Sequence, residues 1–432
     1  MKSRKPKVLH EVCGRTMLEH VLEAVRSAGA SDVLAVINPE LNEACAALGV
    51  ATVIQEPQHG TGHAMQLAMA ALNGDDLPVL VVSADMPLLT SALLSAVVEK
   101  QSADGVVLAM LTAHVPLPTN FGRIVRNGGR VTSIVENVDC TPAQSAIDEV
   151  NAGVYCFESR ALRRHLAQLK PNNAQGELYI TDCIAAIVAE GGDVEAVVCD
   201  DRRLVMGVNN RVELAAARAV MQGSILEAHM LAGVTIADPA STYVDVGVTL
   251  EPDVTILPQS HVTGASRVAR GCVLGPGVQL DNAQIGEDSQ ISWSVIKDSA
   301  IGARVTIGPY AHLRLGAVVE DDAHIGNFVE LKKTRMGRGS KAGHLSYLGD
   351  ATLGAKVNIG AGTITCNWNG KDKNPTEIGD GAFIGSNSSL VAPVKIGAGA
   401  LTAAGSVVNR DVAPGERVAG VPARPLPKKP QK

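Results

Sequence analysis

Through much of the second half of the chain, every sixth residue is aliphatic. Val244, Leu250, Ile256, Val262, Val268, Leu274 and Leu280 keep that interval. It slips near Asn282, resumes at Ile301, Ile307, Leu313, Val319, Ile325 and Leu331, and returns at Ile378, Ile384, Leu390, Ile396, Thr402 and Val408. A helix repeats near 3.6 residues and a half-buried strand near two, so neither gives six. The interval fits a triangular coil in which each side is a short strand and each inward side chain stacks on its neighbour one turn away. Glycine follows the aliphatic in Ile301-Gly302, Ile325-Gly326, Ile359-Gly360, Ile384-Gly385 and Ile396-Gly397, as expected if glycine makes corners, where positive φ costs it least. From Asn367-Trp368-Asn369-Gly370 to Pro375 the chain is polar and out of register. That stretch reads either as a binding arm pushed out of the stack or as a solvated insertion.

Residues 1–208 follow another pattern. Apolar stretches at 33–37, 78–83 and 106–111 alternate with helical patterns over 17–27 and 91–101. Such alternation predicts an α/β sheet covered on both faces. Arg211–Leu231 is rich in Ala, Leu, Glu and Met and free of proline, and predicts a connecting helix. The expected division is an α/β domain over 1–208, a helical linker over 209–232 and a coil domain over 233–432. The tail from Pro422, proline-rich and basic, is expected to be flexible.

Composition narrows the function classes. Of 432 residues 46% are hydrophobic, 3% are aromatic and 43 are glycine, which suits thin regular layers better than a bulky globule. A net charge of −6 gives no reason to expect nucleic acid. No apolar run approaches the roughly 18 residues of a membrane span, and nothing reads as a signal peptide. Cys13, Cys45, Cys140, Cys156, Cys183, Cys199, Cys272 and Cys366 form no C-x-x-C pair. That usage fits a reducing cytoplasm, with thiols acting as small hydrophobes rather than as disulfides or zinc ligands.

Candidate chemistry begins in the α/β half. Ser83-Ala84-Asp85-Met86-Pro87 follows a strand and puts Asp85 at its carboxyl end, the edge where open α/β sheets bind ligands. A carboxylate there suits Mg²⁺, which takes few protein oxygens and leans on substrate phosphates; a turn-capping role is the alternative. Gln55 and Gly60-Thr61-Gly62 read as a polar loop after a strand ending at Ile54, with donors and bare backbone for a base edge or a phosphate.

Five strings in this half resemble a known family: K-V-L-H from Lys7, G-T-G-H-A from Gly60, N-A-G-V-Y from Asn151, N-A-Q-G-E from Asn173 and G-V-N-N-R from Gly207. They look like the nucleotidyltransferase domain of the bifunctional bacterial N-acetylglucosamine-1-phosphate uridyltransferase/glucosamine-1-phosphate acetyltransferases. The coil domain carries the rest of the resemblance, in G-N-F-V-E from Gly326, K-A-G-H-L-S-Y-L-G-D from Lys341 and N-I-G-A-G-T-I-T-C-N from Asn358. The resemblance runs over nearly the whole chain. It implies a Rossmann-like, GT-A type α/β domain followed by a left-handed parallel β-helix of hexapeptide repeats.

It also implies site residues. Gln55, Gly60 and Thr61 would face the uracil of UTP; Asp85 and Asn209 would hold Mg²⁺. Gly122, Glu136 and Asn151 would face the amino sugar, and Lys7 a phosphate. N-acetylglucosamine 1-phosphate would attack the α-phosphate of UTP and release pyrophosphate, with catalysis by positioning and charge neutralisation. In the β-helix His344 resembles the catalytic base: N-acetylation needs a neutral amine, and an imidazole with its ordinary pKa of about 6.5 can take the ammonium proton. A lone histidine taken without its motif is a surface or packed residue. Arg314 and Lys332 match binders of the phosphate of glucosamine 1-phosphate, and Tyr347 and Asn358 match sugar contacts. Ala361, Asn367, Trp368, Ser386 and Ala404 align with acetyl-CoA contacts. Trp368 stands where a tyrosine is usual, and Arg424 substitutes for a late CoA-binding arginine that has no clean partner in 418–421. A homotrimer with active sites between neighbouring prisms is the implied assembly.

Family members open with a strand and a glycine-rich loop, roughly L-A-A-G-x-G-T-R-M, around the nucleotide phosphates. This sequence begins Met1-Lys2-Ser3, where that motif would be ending. Either the true start lies upstream of Met1 or this form has lost the element. In the second case the α/β domain lacks that inner strand and cradle, and exposed sheet edges and little uridyltransferase activity are expected. Two other readings compete with the bifunctional enzyme: a nucleotidyltransferase whose β-helix only assembles subunits, and an inactive assembly protein.

Overall fold

The computed structural model describes residues 1–72, 77–171 and 175–426; Asn173 of the N-A-Q-G-E string and Lys428 and Lys429 of the tail lie outside them. The chain divides into two compact units, Met1–Met221 and Gln222–Lys432. The division falls inside the helix Arg211–Leu231 rather than at its ends.

In the first unit the expected elements form. Leu34–Ile37, Val79–Val81 and Val106–His114 are strands; Met17–Ser27 and Ser91–Gln101 are helices. Thr16 and Glu19 start the first of these helices with a capping box, each side chain bonding the other's backbone N–H. The main sheet is mixed: Val106–His114 pairs in parallel with Asp193–Cys199 and antiparallel with Glu149–Phe157. Alternation along these strands serves two cores. Leu108, Met110, Tyr155 and Phe157 pack on one side with Leu162, Ile184 and Ile187. Ala109, Leu111, Val154 and Cys156 pack on the other with Leu94 and Val97. Leu34–Ile37 and Ala51–Ile54 pair in parallel as a sheet of their own.

In the second unit three parallel sheets wrap around one apolar axis. Every aliphatic residue of the six-residue series is buried, from Val244 to Val408, and Thr402 with them. The coil is elastic. Partner strands are 18 residues apart where Arg314 meets Lys332, 16 where Gln279 meets Val295, and 25 where Ala351 meets Thr376. The slip near Asn282 is therefore a set of shortened corners, and Ile285, Ile291 and Ile296 keep the stack filled across it. At the start, Gln222 donates to the Val244 carbonyl (3.2 Å) and accepts from its N–H (3.3 Å), with Leu226 covering the first coil. The last part of the helix thus belongs to the prism it caps.

Two expectations are corrected here. The glycines after the inward aliphatics are not chosen for positive φ. Gly326 and Gly360 lie outside that region, and a Cβ on Gly326 would run into the Gly343 carbonyl, one on Gly360 into the Ser386 backbone. Close approach of stacked coils is what excludes a side chain. Positive φ falls instead on glycines elsewhere and on corner residues such as Asp253, Asn282, Asp322 and Leu345. The tail, expected loose from Pro422, is fixed as far as Leu426: Arg424–Pro425 turns back antiparallel on Arg417–Ala419, and Leu426 N–H donates to the Arg417 carbonyl at 2.8 Å.

Candidate functional site

Stacking in register brings distant residues side by side in the prism. On one face Arg314 aligns with Lys332 and Lys332 with Gly349, while Glu330 aligns with Tyr347. On the adjoining face Asn327 aligns with His344, and Lys341 with Asn358. The two faces meet at Leu345-Ser346, where Leu345 turns the corner at φ +48°. His344 and Tyr347 therefore flank one edge of the prism.

His344 Nδ1 lies 2.7 Å from Asn327 Oδ1. An amide oxygen only accepts, so in the neutral ring Nδ1 carries the proton and Nε2 keeps its lone pair. The Lys332 ammonium, with only 4% of the side chain exposed, is 2.8 Å from Asp350 Oδ2, which also accepts from Asn367 Nδ2 at 2.6 Å. Burial pushes the Asp350 carboxyl up, but the hydrogen bonds from Lys332 and Asn367 outweigh it and hold the carboxyl below its ordinary range. Lys332 is raised, first by its bond to Asp350. Lys373 is lowered, chiefly by its contact with Lys332. Arg314 reaches Glu330 Oε1 through Nη2 at 2.6 Å and Nε at 2.8 Å. Three cations around two carboxylates leave a positive surplus of the kind a phosphate dianion needs.

Asn327, Asp350 and Lys373 escaped the sequence reading, although the coil length pointed to two of them. Asn327 precedes His344 by 17 residues and Asp350 follows Lys332 by 18. Lys373 sits in the out-of-register loop, whose Trp368 and Lys373 pair as an antiparallel bridge and whose Trp368 is 56% exposed. The candidate acetyl-CoA residues form a ladder one coil apart. Asn387 N–H bonds to the Ala361 carbonyl at 2.7 Å and Gly405 N–H to the Ser386 carbonyl at 2.8 Å, which stacks Ala361, Ser386 and Ala404 along the edge that carries His344. Arg424 lies in the coil after Ala404, opposite Ala419.

In the first unit Gly60 is not mid-loop. It is the N-cap of a helix over Thr61–Ala71 at φ +98°, and a Cβ there would meet the Leu178 carbonyl at 2.5 Å. Thr61 Oγ1 accepts from Ile180 N–H at 3.1 Å, so the turn is held by the segment from Leu178 to Ile180 rather than left as a polar loop. Gln55 Nε2 donates to the Gly60 carbonyl at 3.0 Å and lies 3.2 Å from His63 Nδ1.

Asp85 and Asn209 also meet, with their side-chain oxygens 2.5 and 2.8 Å from Lys7 Nζ. Gly122, Glu136 and Asn151 form a third group. A Cβ on Gly122 would sit 3.3 Å from Glu136 Oε2, and the Gly122 carbonyl accepts from Asn151 N–H at 2.9 Å. Asn151 Nδ2 donates to the Tyr155 hydroxyl at 2.6 Å. Burial raises Glu136, with Asp139 and Asp182 adding to it and a bond from Thr181 opposing. The sequence did not single out His63, Tyr155 or Thr181.

Comparison with known proteins adds to this. Residues 1–180 match the MobA-like NTP transferase domain, and residues 375–410 match the bacterial transferase hexapeptide (six repeats). The bifunctional protein GlmU of Trichlorobacter lovleyi is 45% identical over 420 residues, 96% of this chain and 91% of that one. The GlmU proteins of Streptomyces coelicolor, 43% identical over 96% of this chain and 88% of theirs, and of Heliobacterium modesticaldum, 45% over 96% and 91%, agree. This chain belongs to the GlmU family.

It is accordingly a bifunctional transferase of UDP-N-acetylglucosamine synthesis, with a uridyltransferase domain followed by an acetyltransferase domain built as a left-handed β-helix. The GlmU assignment excludes both the assembly-only β-helix and the inactive assembly protein. Among the described residues no helix is long and apolar enough to cross a membrane.

Proposed function

We propose that His344 is the base of the acetyltransferase site and that Arg314, Lys332 and Lys373 hold the phosphate of glucosamine 1-phosphate. The Asn327–His344 hydrogen bond carries this reading, because it fixes the tautomer that leaves Nε2 free to accept a proton. The amine nitrogen gives its proton to Nε2 as it attacks the thioester carbonyl of acetyl-CoA. The new C–N bond forms, the C–S bond breaks, and the coenzyme A thiolate leaves and takes a proton. Tyr347 and Asn358 flank the sugar. Ala361, Asn367, Trp368, Ser386, Ala404 and Arg424 line the path of acetyl-CoA. Acetyl transfer to glucosamine 1-phosphate, compared with and without His344→Ala, tests the assignment; equal rates sink it.

In the uridyltransferase domain N-acetylglucosamine 1-phosphate attacks the α-phosphate of UTP. Gly122, Glu136 and Asn151 hold the sugar, and Gln55, Gly60 and Thr61 the uracil. One carboxylate and one amide oxygen already converge on a single cation, Lys7 Nζ. That donor set fits Mg²⁺, which would be held by Asp85 and Asn209 and would neutralise phosphate charge. Lys7, released from those oxygens, reaches a phosphate.

The chain works as a homotrimer in this reading. Trp293, Tyr310, Phe328 and Leu345 occupy one prism edge on successive coils, 42%, 55%, 55% and 62% exposed, with the Tyr310 and Phe328 rings stacked 5.5 Å apart. An apolar ridge of this kind asks for a partner, and it ends beside His344, which would then stand between neighbouring prisms. Sedimentation of a stable monomer would count against it.

A further inference from the structure

Taking the base site of Gln55 as read above, we infer that His63 is a positioning residue that sets the choice of pyrimidine by fixing the orientation of the Gln55 amide. The Gly60 carbonyl can only accept, so the Gln55 group 3.0 Å from it is the NH₂, whichever way the amide would otherwise turn. His63 Nδ1, 3.2 Å from the same nitrogen, takes a second N–H if it is the unprotonated ring nitrogen. With both bonds on Nε2, Oε1 has no partner among the described residues and is the atom offered to a base.

A bare carbonyl oxygen accepts from N3–H of a uracil. Cytosine has no hydrogen on N3 and meets that oxygen lone pair to lone pair. A site that hydrogen-bonds one ligand edge rejects the analogue lacking it far more strongly than an apolar pocket does. Selection depends on the amide not turning over, because a free amide would offer NH₂ to cytosine as readily as its oxygen to uracil. The Gly60 carbonyl is fixed by the turn, whose backbone is tied to Leu178 through Gly62 N–H at 2.7 Å. His63, from the first turn of the helix Thr61–Ala71, closes the other side.

The test is calorimetric binding of UTP and CTP to the full chain and to His63→Leu, His63→Gln and Gln55→Ala. His63→Leu, which removes the acceptor, lowers the UTP-to-CTP affinity ratio by about tenfold or more, the scale of one lost discriminating hydrogen bond. His63→Gln, which can return a carbonyl acceptor, recovers most of it. An unchanged ratio in His63→Leu, alongside a collapsed ratio in Gln55→Ala, overturns the role of His63 and leaves the base site standing. An unchanged ratio in Gln55→Ala overturns the base site and this inference together. Independently of nucleotide, ¹⁵N spectra of the unsubstituted chain should show His63 with its proton on Nε2; a proton on Nδ1 refutes the arrangement.

Discussion

His344 and Asn327 stand 17 residues apart in sequence and 2.7 Å apart in space, on aligned positions of adjacent coils. The bond orients the ring and leaves Nε2 as the nitrogen that would serve as the proposed base. Replacing His344 with Ala should lower the acetyl-transfer rate by about 10²- to 10⁴-fold, the usual worth of a positioned general base. Asn327→Ala keeps the imidazole but frees its tautomer, and should cost roughly tenfold in kcat with little change in KM. Release of free coenzyme A thiol measures both. A full rate in Asn327→Ala would mean that the tautomer is set by something else.

The Lys332–Asp350 pair carries an acid signature. Asp350 is lowered in the folded protein, so its contribution to stability is present above the ordinary carboxylate pKa of about 3.9 and is lost as pH falls through the folded value. Melting temperature should therefore fall more steeply below about pH 4 in the unsubstituted chain than in Asp350→Asn. Parallel slopes would remove Asp350 from the acid response.

Glu136 has the opposite sign. Burial raises it, so the folded protein favours the protonated form and loses stability as pH rises through the folded value. Glu136→Gln should melt a few °C higher at most at pH 7–8, with the gain gone below the ordinary carboxylate range. The same substitution should weaken binding of N-acetylglucosamine 1-phosphate. Calorimetry at two pH values with a sugar-phosphate titration separates the effects, and a variant less stable at pH 8 would contradict the burial account.

Two glycines beside Asn327 and His344 should differ sharply. A Cβ on Gly326 collides with the Gly343 carbonyl, whereas one on Gly343 meets nothing within 4 Å. Gly326→Ala should cost about 1–3 kcal/mol, the range for overpacking, while Gly343→Ala should stay within about 0.5 kcal/mol. Urea titration of the two variants checks this; equal losses would mean that the coils are free to part.

The period of six was enough to specify the prism, because burying one aliphatic per strand in a stack of coils leaves little choice of architecture. Strand–helix alternation likewise specified the α/β unit, the end of a strand pointed to Asp85, and the family resemblance pointed to His344, Arg314 and Lys332. What the sequence left undetermined was set by spacing and direction in three dimensions. The glycines after Ile325 and Ile359 look like corner residues until stacked coils are seen to crowd them. The tail reads as loose because nothing local to Arg424–Pro425 announces a partner, and only its return onto Arg417–Ala419 supplies one. Asn327, Asp350, Lys373 and His63 each meet a neighbour brought close by the fold; the coil length puts Asn327 and Asp350 within reach of His344 and Lys332, but only the closed coils bring the side chains together. Sequence sets which faces must be buried; tertiary structure alone decides which polar groups then share an edge, since their directions are fixed only after the coils have closed.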